Sequence, residues 1–343
     1  MGYRAQKEKV ESKLKLMKRI SLGILLVCLV ALSIFSAFLP PNTWKYYVGK
    51  PNIGKRRAGE ARVHFLDVGQ GDCSLIELPD GKIMLIDGGD YQASTQKSIM
   101  RYLNALKIDV IDYLVITHAD EDHCGSLDVV LKHKKILNAY LPPAFPIEGT
   151  EYAEVYDALL KEKCKLFYTS RRSDLLDGIC GETSYALSFL LPYYADVEDI
   201  LQNGGATYSE DAHNQLSSVV YFDYQGVGVL FAGDIGAEME TKLIRDDKEF
   251  DSFALRNFDL SSTEILKVAH HGSKYSTCEE WLAYLNVQTA VISCGKGNAY
   301  GHPTQEVLSR LQKQEADIWR TDMDGHIVVT ISKPGEYIVK RVK

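Results

Sequence analysis

From Val63 onward the chain alternates short apolar runs with polar turns. VHFLDV, CSLIEL, the turn PDGK and then IMLID before GGD predict a meander of three strands. TQKSIMRYLNALK places Ile99, Leu103 and Leu106 at helical spacing. VIDYLVI returns to a strand that runs straight into THADEDHCGSL, and functional groups gather at such strand ends in α/β proteins. LDVVLKHKKI then predicts a helix, as does EYAEVYDALLKEK, with strands near KLFYTS and TSYALSFLLP and a loop over QNGGATYSEDAHNQ.

A second series follows. SSVVYFDY and GVGVLFAGD flank a glycine-containing turn, GAEMETKLI is helical, and TEILKVA is a strand ending on His270 and His271. CEEWLAYL and TQEVLSRLQKQ are helices on either side of the strand TAVISCG and the loop KGNAYGHP, and two strands close the chain. Each half contributes strands and then helices, which predicts an α/β sandwich of two mixed sheets with helices outside. Neither a short repeat nor a low-complexity run is visible.

The first 60 residues depart from this pattern. Residues 1–19 hold seven Lys or Arg and read as a basic cytoplasmic tail. Residues 20–39 carry no charge over 20 positions, enough to span a bilayer as a transmembrane anchor. SIFSAFLPP is a poor cleavage site, which favours a retained anchor over a cleaved signal peptide. The basic end would stay in the cytoplasm, placing everything after Pro40 outside, although Lys45, Lys50, Lys55, Arg56 and Arg57 temper that bias. Residues 40–60 read as a linker and 61–343 as the main globular domain.

The first 60 residues hold 12 basic and 3 acidic side chains, leaving 27 against 43 for residues 61–343, a net charge of -16. A globally basic nucleic-acid footprint is therefore absent. The seven cysteines form no CxxC pair, which argues against a cysteine zinc site. Cys164 and Cys180 are near enough in sequence to be a candidate pair for oxidation outside the cell, and buried free thiols are the simpler reading.

Within THADEDHCGSL, His118, Asp120, Asp122 and His123 have ligand chemistry at useful spacing. On an extended loop His118 and Asp120 project alike and can share one ion, while Asp122 and His123 can turn toward a second. The alternative is a charged surface turn, where Glu121 belongs. Asp234 ends the apolar run LFAGD, where a carboxylate needs a partner, a metal or a helix to cap. His270 and His271 follow another apolar strand; one could bind metal and the other donate a proton, and the sequence does not choose. His302 could reach the site from the far side or be a turn residue before Pro303. Asp67, Gln70, Asp72 and Asp87 fit either supporting hydrogen bonds to ligands or ordinary turn chemistry, with Asp87 ending its strand as Asp234 does. His64, His133 and His326 have no motif around them and are expected to be structural or exposed.

HADEDHCG resembles the HxHxDH motif of the metallo-β-lactamase superfamily, in the HxDxDHxG form of the C-terminal hydrolase domain of ComEC/Rec2 competence proteins. HFLDVGQGDC, LIDGGD, LFAGD, LKVAHHGSKYST and GNAYGHP are similar to further segments of that subgroup and occur in its order, covering about residues 62–342. The resemblance implies a four-layer αββα sandwich, two divalent ions and Asp234 bridging them. Classical members add a histidine from mid-chain, for which His213 and Asn214 are both candidates. The ions would be Zn2+, with Mn2+ admitted by the hard Asp120 carboxylate.

Two ions about 3.5–4 Å apart would hold a bridging hydroxide and polarise a phosphoryl oxygen, with a histidine of HHGS protonating the leaving group. Ser273 and Lys274 are candidates to bind an anionic substrate. The expected function is a membrane-anchored, extracytoplasmic, metal-dependent phosphodiesterase or nuclease, its partners being the membrane and a phosphoester substrate such as DNA. With a single membrane segment, uptake itself is not expected of this chain. Competing readings are a small or cell-surface phosphoester hydrolase, such as a phosphorylcholine esterase, a β-lactam hydrolase, and a non-catalytic binding protein of the same fold.

Overall fold

Alternating burial along the strands builds two sheets that face each other. The computed structural model describes residues 2–38, 40–170, 178–202, 210–249 and 259–342, which fall into two compact units, Met1–Gly49 and Lys50–Lys343. The first unit is a helix, Gly2–Phe38, and a 3-10 turn, Pro41–Tyr46. The basic stretch and the apolar stretch form one continuous helix because nothing between Arg19 and Ile20 breaks it; Pro40 and Pro41 do. Within it, Gln6–Ala37 is long and apolar enough to cross a membrane.

In the second unit, β1 (Ala61–Phe65), β2 (Ser74–Glu77) and β3 (Ile83–Ile86) pair antiparallel. β4 (Val110–Val115), β5 (Lys135–Leu141) and β6 (Lys165–Tyr168) extend that sheet in parallel. The second sheet repeats the scheme. β7 (Gly178–Cys180), β8 (Thr183–Leu191), β9 (Val219–Tyr224) and β10 (Val227–Phe231) are antiparallel. β11 (Thr263–Lys267), β12 (Thr289–Ile292) and β13 (Asp317–Arg320) then run parallel to β10. β14 (His326–Lys333) and β15 (Glu336–Val342) return to the first sheet beside β1, giving orders 15-14-1-2-3-4-5-6 and 13-12-11-10-9-8-7.

The period-2 pattern explains the layering. Val63 and Phe65, Met84 and Ile86, Leu187 and Phe189, Phe222 and Tyr224, and Val229 and Phe231 form the core between the sheets. The opposite face of the second sheet, with Leu230, Leu266 and Ile292, is covered by Leu243, Trp281 and Leu311 from three helices. Ile99, Leu103 and Val130 are buried on helices of the first half. The four-layer αββα sandwich expected above is the fold.

Some details differ. The helix after Gly125 stops at His133, and its predicted tail is the start of β5, whose burial alternates from Lys135 to Leu137 before its last three residues go inside. β13 makes three closing strands rather than two. The stretch QNGGATYSEDAHNQ, expected as a loop, starts on the last residue of the helix Tyr194–Gln202 and ends in a helix, Glu210–Gln215, while 203–209 lie outside the described residues. The cysteines are all free thiols, Cys164 and Cys180 included.

Candidate metal centre

The C-terminal ends of the parallel strands converge. Asp87 follows β3, Thr117 and His118 follow β4, Asp234 follows β10, His270 and His271 follow β11, and Ser293 follows β12. Strand termini leave backbone groups and side chains free to turn into the crevice between the sheets, which is where α/β folds place their chemistry.

On the first sheet's side, Asp87 orients His123. The His123 Nδ1 donates to Asp87 Oδ2 at 2.8 Å, and Asp87 also accepts from the Thr117 amide and hydroxyl, each at 2.8 Å. Holding the Nδ1 proton leaves the Nε2 lone pair free for a ligand. Asp87 keeps this position at a φ of 61°, a conformation uncommon for a residue with a side chain. The Thr117 hydroxyl, its proton committed to Asp87, accepts from His118 Nδ1 at 3.1 Å. His118 therefore also presents Nε2 inward.

Asp234 completes the arrangement from the second sheet. Its Oδ1 lies 3.4 Å from His123 Nε2, and its Oδ2 lies 3.5 Å from His271 Nε2 and 3.9 Å from His270 Nε2. His271 donates Nδ1 to the Ser293 carbonyl at 3.0 Å, which turns its Nε2 to within 3.1 Å of Asp122 Oδ2. The sequence left His270 and His271 undivided, and the backbone separates them. Both occupy left-handed conformations in a turn, not an extended strand, with His271 2% exposed and His270 at the rim.

These residues fit a divalent cation. Nε2 of His118, His123 and His271 and Oδ1 of Asp234 are buried without a well-formed hydrogen bond. Orphaned buried acceptors cost about 1–3 kcal/mol each, so convergent ones call for a cation or ordered water. Ligand atoms lie within 4.8 Å of one another in the groups His118, His123 and Asp234, and Asp122, His123 and His271. A third group, Asp72, Asp87 and His123, surrounds the other side of the His123 ring. His123 thus belongs with both pairs of partners, whereas the loop geometry had suggested that His118 and His123 serve separate ions.

The carboxylates around these rings favour positive charge, as a proton on a ring or as a cation. Burial works against protonation of His123 and His271, yet Asp234, aided by Asp87 at the first and Asp72 at the second, raises His123 well above its usual value and His271 to about 10. Burial and the neighbouring His123 lower His118. Asp72 is held at about 2 because the charges of Lys267 and His271 outweigh its burial.

The remaining candidates divide. Asp120 sits with Oδ2 3.6 Å from His118 Nε2 and Oδ1 3.2 Å from His213 Nδ1, so His213 reaches the site through Asp120. Asn214 lines the cleft with its Oδ1 unpartnered. His302 stacks at 6.4 Å from His271, and burial together with the charges of His271 and His270 pushes its pKa down to about 4. Gln70 accepts from the Gly295 amide at 3.1 Å and lines the same cleft.

Three of the predicted residues are not brought to these ligands. Asp67 caps the Gly69 amide at 3.4 Å and touches none of these ligands, because the turn of VGQG consumes its carboxylate. Ser273 is buried within its own turn, receiving the Tyr275 amide, and Lys274 lies over the Tyr275 ring; neither lines the cleft. His64 and His326 are structural as expected: His64 bridges Tyr102 and Glu77 at 2.8 Å each, and His326 Nδ1 accepts from the Asp67 amide.

Several participants escaped sequence reasoning. Thr117 and Ser293 act through positions read simply as strand ends. Lys267 is 2% exposed and pairs with Asp72, and its only signal was a charge inside the otherwise apolar ILKVA. Gly71 admits the Asp122 carbonyl where a Cβ would stand 2.3 Å away. Tyr300 flanks His302 at 5.7 Å.

Asp122, Asp234, His270, His271 and His302 line a cleft of about 330 Å³ that opens beside a wider groove of about 1110 Å³. Asp90, Glu121 and Glu151 line the groove, and among the described residues no Lys or Arg lines either.

Comparisons with known proteins agree with this architecture. The chain is 30% identical over 285 residues to ComE operon protein 3 of Bacillus subtilis (strain 168), covering 79% of this chain and 33% of that protein. It is 27% identical over 314 residues to Recombination protein 2 of Haemophilus influenzae, covering 91% of this chain and 32% of that protein. The chain thus spans about a third of the length of these relatives. Among solved structures it is similar to a diphosphatase of the PhnP family, with a TM-score of 0.41 and 13% identity over 80% of this chain and 99% of that one. Residues 66–296 match the Metallo-beta-lactamase superfamily, and the chain belongs to that superfamily, in a form that resembles the ComEC competence proteins.

Proposed function

We propose that the chain is a metal-dependent phosphodiesterase in which His118, Asp120, Asp122, His123, Asp234 and His271 hold two divalent ions. The observation that carries this is the convergence of three unpartnered imidazole nitrogens on the Asp234 carboxylate. Members of the superfamily are mostly metal-dependent hydrolases. Bound divalent ions supply Lewis acidity and a nucleophile from water at neutral pH. Asp87, Thr117 and Ser293 fix the imidazole tautomers, so that the ligand lone pairs are set before any ion arrives. His270, at the rim and 3.9 Å from Asp234, is placed to give a proton from Nε2 to a departing oxygen. Nitrogen and carboxylate donors together suit zinc, and the three aspartates widen the choice to manganese.

Similarity to Recombination protein 2 and to ComE operon protein 3 makes a DNA backbone the first substrate to test. A second reading, a small phosphoester, is favoured by the acidic groove, since a polyanion gains little from a groove that among the described residues no Lys or Arg lines. In this proposal the helix Gly2–Phe38 anchors the enzyme, with residues 1–19 cytoplasmic and the metal centre outside.

The test uses the full chain in detergent. Metal content is quantified, and bis-p-nitrophenyl phosphate and single-stranded DNA are offered with Zn2+ or Mn2+. Two ions per chain and turnover lost in Asp122→Ala are expected. A protein without bound metal or turnover, with Asp122→Ala indistinguishable from it, would overturn the proposal.

A further inference from the structure

Gln70 stands where the cleft and the wider groove meet, and it lines both. Its backbone is held from two sides. The adjoining Gly71 lies against the Asp122 carbonyl, and a Cβ at Gly295 would come within 2.6 Å of the Gln70 nitrogen, so the loop after β12 packs directly on the turn that carries Gln70. Gly295 orients the side chain as well. Its amide can only donate, so the atom that receives it at 3.1 Å must be Gln70 Oε1, which settles which end of the side-chain amide is which. Nε2 is the free end: among the described residues it has no hydrogen-bond partner. Two N–H donors on a held arm are thus available at the edge of the metal centre.

We propose that Gln70 binds the substrate, donating from Nε2 to a non-bridging phosphoryl oxygen, and that it takes a singly charged phosphodiester in preference to a doubly charged phosphomonoester. The inference rests on the phosphodiesterase reading and supplies a contact to the substrate. Among the described residues no Lys or Arg lines the cleft or the groove, so an anionic group there depends on neutral donors. Other neutral groups of the cleft are less well placed. His271 commits Nδ1 to the Ser293 carbonyl, and among the described residues no hydrogen bond fixes the Asn214 amide. An amide donor holds one oxygen without neutralising it. A second charge on the phosphoryl group would face Asp90, Glu121 and Glu151 with no cationic side chain to offset it, and the three aspartates proposed as ligands cancel most of the charge of two divalent ions.

Two ligands of nearly the same shape separate the charge from the contact. Dimethylphosphinate carries one negative charge, and methylphosphonate, at a pH above its second ionisation, carries two. Each is titrated calorimetrically into the full chain in detergent, loaded with Mn2+ or Zn2+, and metal content and the urea midpoint are recorded for every variant. The parent protein should bind dimethylphosphinate the more tightly. Gln70→Glu keeps an acceptor for the Gly295 amide and puts a carboxylate oxygen where the donor stood. It should weaken dimethylphosphinate on the order of tenfold, as expected from losing a hydrogen bond to a charged group, while metal content and the urea midpoint stay at parental values. Gln70→Met removes acceptor and donor together and should weaken the same ligand by a comparable factor; it decides the matter if the new carboxylate of Gln70→Glu alters metal content. Were Gln70 only a clip between two loops, Gln70→Glu would bind dimethylphosphinate as the parent does. That result, unchanged affinity in Gln70→Met, or tighter binding of methylphosphonate by the parent protein would overturn the inference alone. If the parent protein binds neither ligand, the phosphodiesterase reading falls together with it.

Discussion

The Lys267 ammonium, buried at the end of β11, forms an ion pair with the Asp72 carboxylate, whose other oxygen lies 3.5 Å from His271 Nδ1. The Asp72 amide in turn donates to the Asp122 carbonyl at 3.0 Å. One pair of charges thus braces both Asp122 and His271 from behind. Removing one member of a buried pair strands the other charge, at about 3–5 kcal/mol. Lys267→Met should lower stability by that order in urea unfolding, and Lys267→Met with Asp72→Leu should recover part of it. A single variant as stable as the parent protein would show that the pair is dispensable.

Asp87 acts on one imidazole. Without its carboxylate only the Thr117 hydroxyl, 3.2 Å from His123 Nδ1, remains beside that proton, and the ring can present the wrong tautomer. Asp87→Ala should weaken metal affinity about 10–100-fold, read by competition with a chromogenic chelator. The measurement does not depend on knowing the substrate.

Gly71 combines a φ of 122° with the close approach of the Asp122 carbonyl. Gly71→Ala should cost about 1–3 kcal/mol from backbone strain and displace Asp122. Denaturant unfolding and metal titration of the same variant should move together; a loss of stability with unchanged metal affinity would confine the effect to the turn.

The network of Arg62, His64 and Glu77 gives the folded state an acid limit remote from the metal centre. Burial lowers His64, with the Glu77 hydrogen bond only partly opposing it. A neutral ring satisfies both contacts, donating Nε2–H to Glu77 and accepting the Tyr102 hydroxyl at Nδ1. Burial opposes ionisation of Glu77, but the hydrogen bonds from His64 and Arg62 and the Arg62 charge outweigh it and hold Glu77 below its usual value. As pH falls below about 6.5 the unfolded chain takes up a proton on His64 first, and below about 4.3 it does so on Glu77. Both effects remove stability toward acid. Glu77→Gln should flatten the lower part of the stability curve between about pH 5 and 3 while reducing stability at pH 7. An unchanged curve would place the acid response elsewhere.

Much of the centre was legible because its residues sit where apolar runs end in clustered acids and histidines. THADEDHC after VIDYLVI, GD after VLFA and HHG after ILKVA all came together in space. What could not be read depends on long-range backbone geometry. Whether His270 or His271 turns inward follows from two left-handed residues and the Ser293 carbonyl, which belongs to another strand. The roles of Lys267 and Asp72 are separated by 195 residues and carry no local pattern. β5 was hidden for a different reason: KHKKI continues the helical spacing of LDVVL, and only burial of Ile136 and Tyr140 in the first sheet decides against it.

The repeated sheet scheme has a thermodynamic consequence. His118, Asp122 and His123 belong to one half of the chain and Asp234 and His271 to the other, so neither half alone offers a complete ligand set. An ion held by both, as proposed, would act as a clasp across the sandwich, with its binding free energy added to the docking of the two halves. Loss of metal should therefore loosen the whole molecule before it exposes any single strand, and resistance to proteolysis should report how fully the centre is loaded.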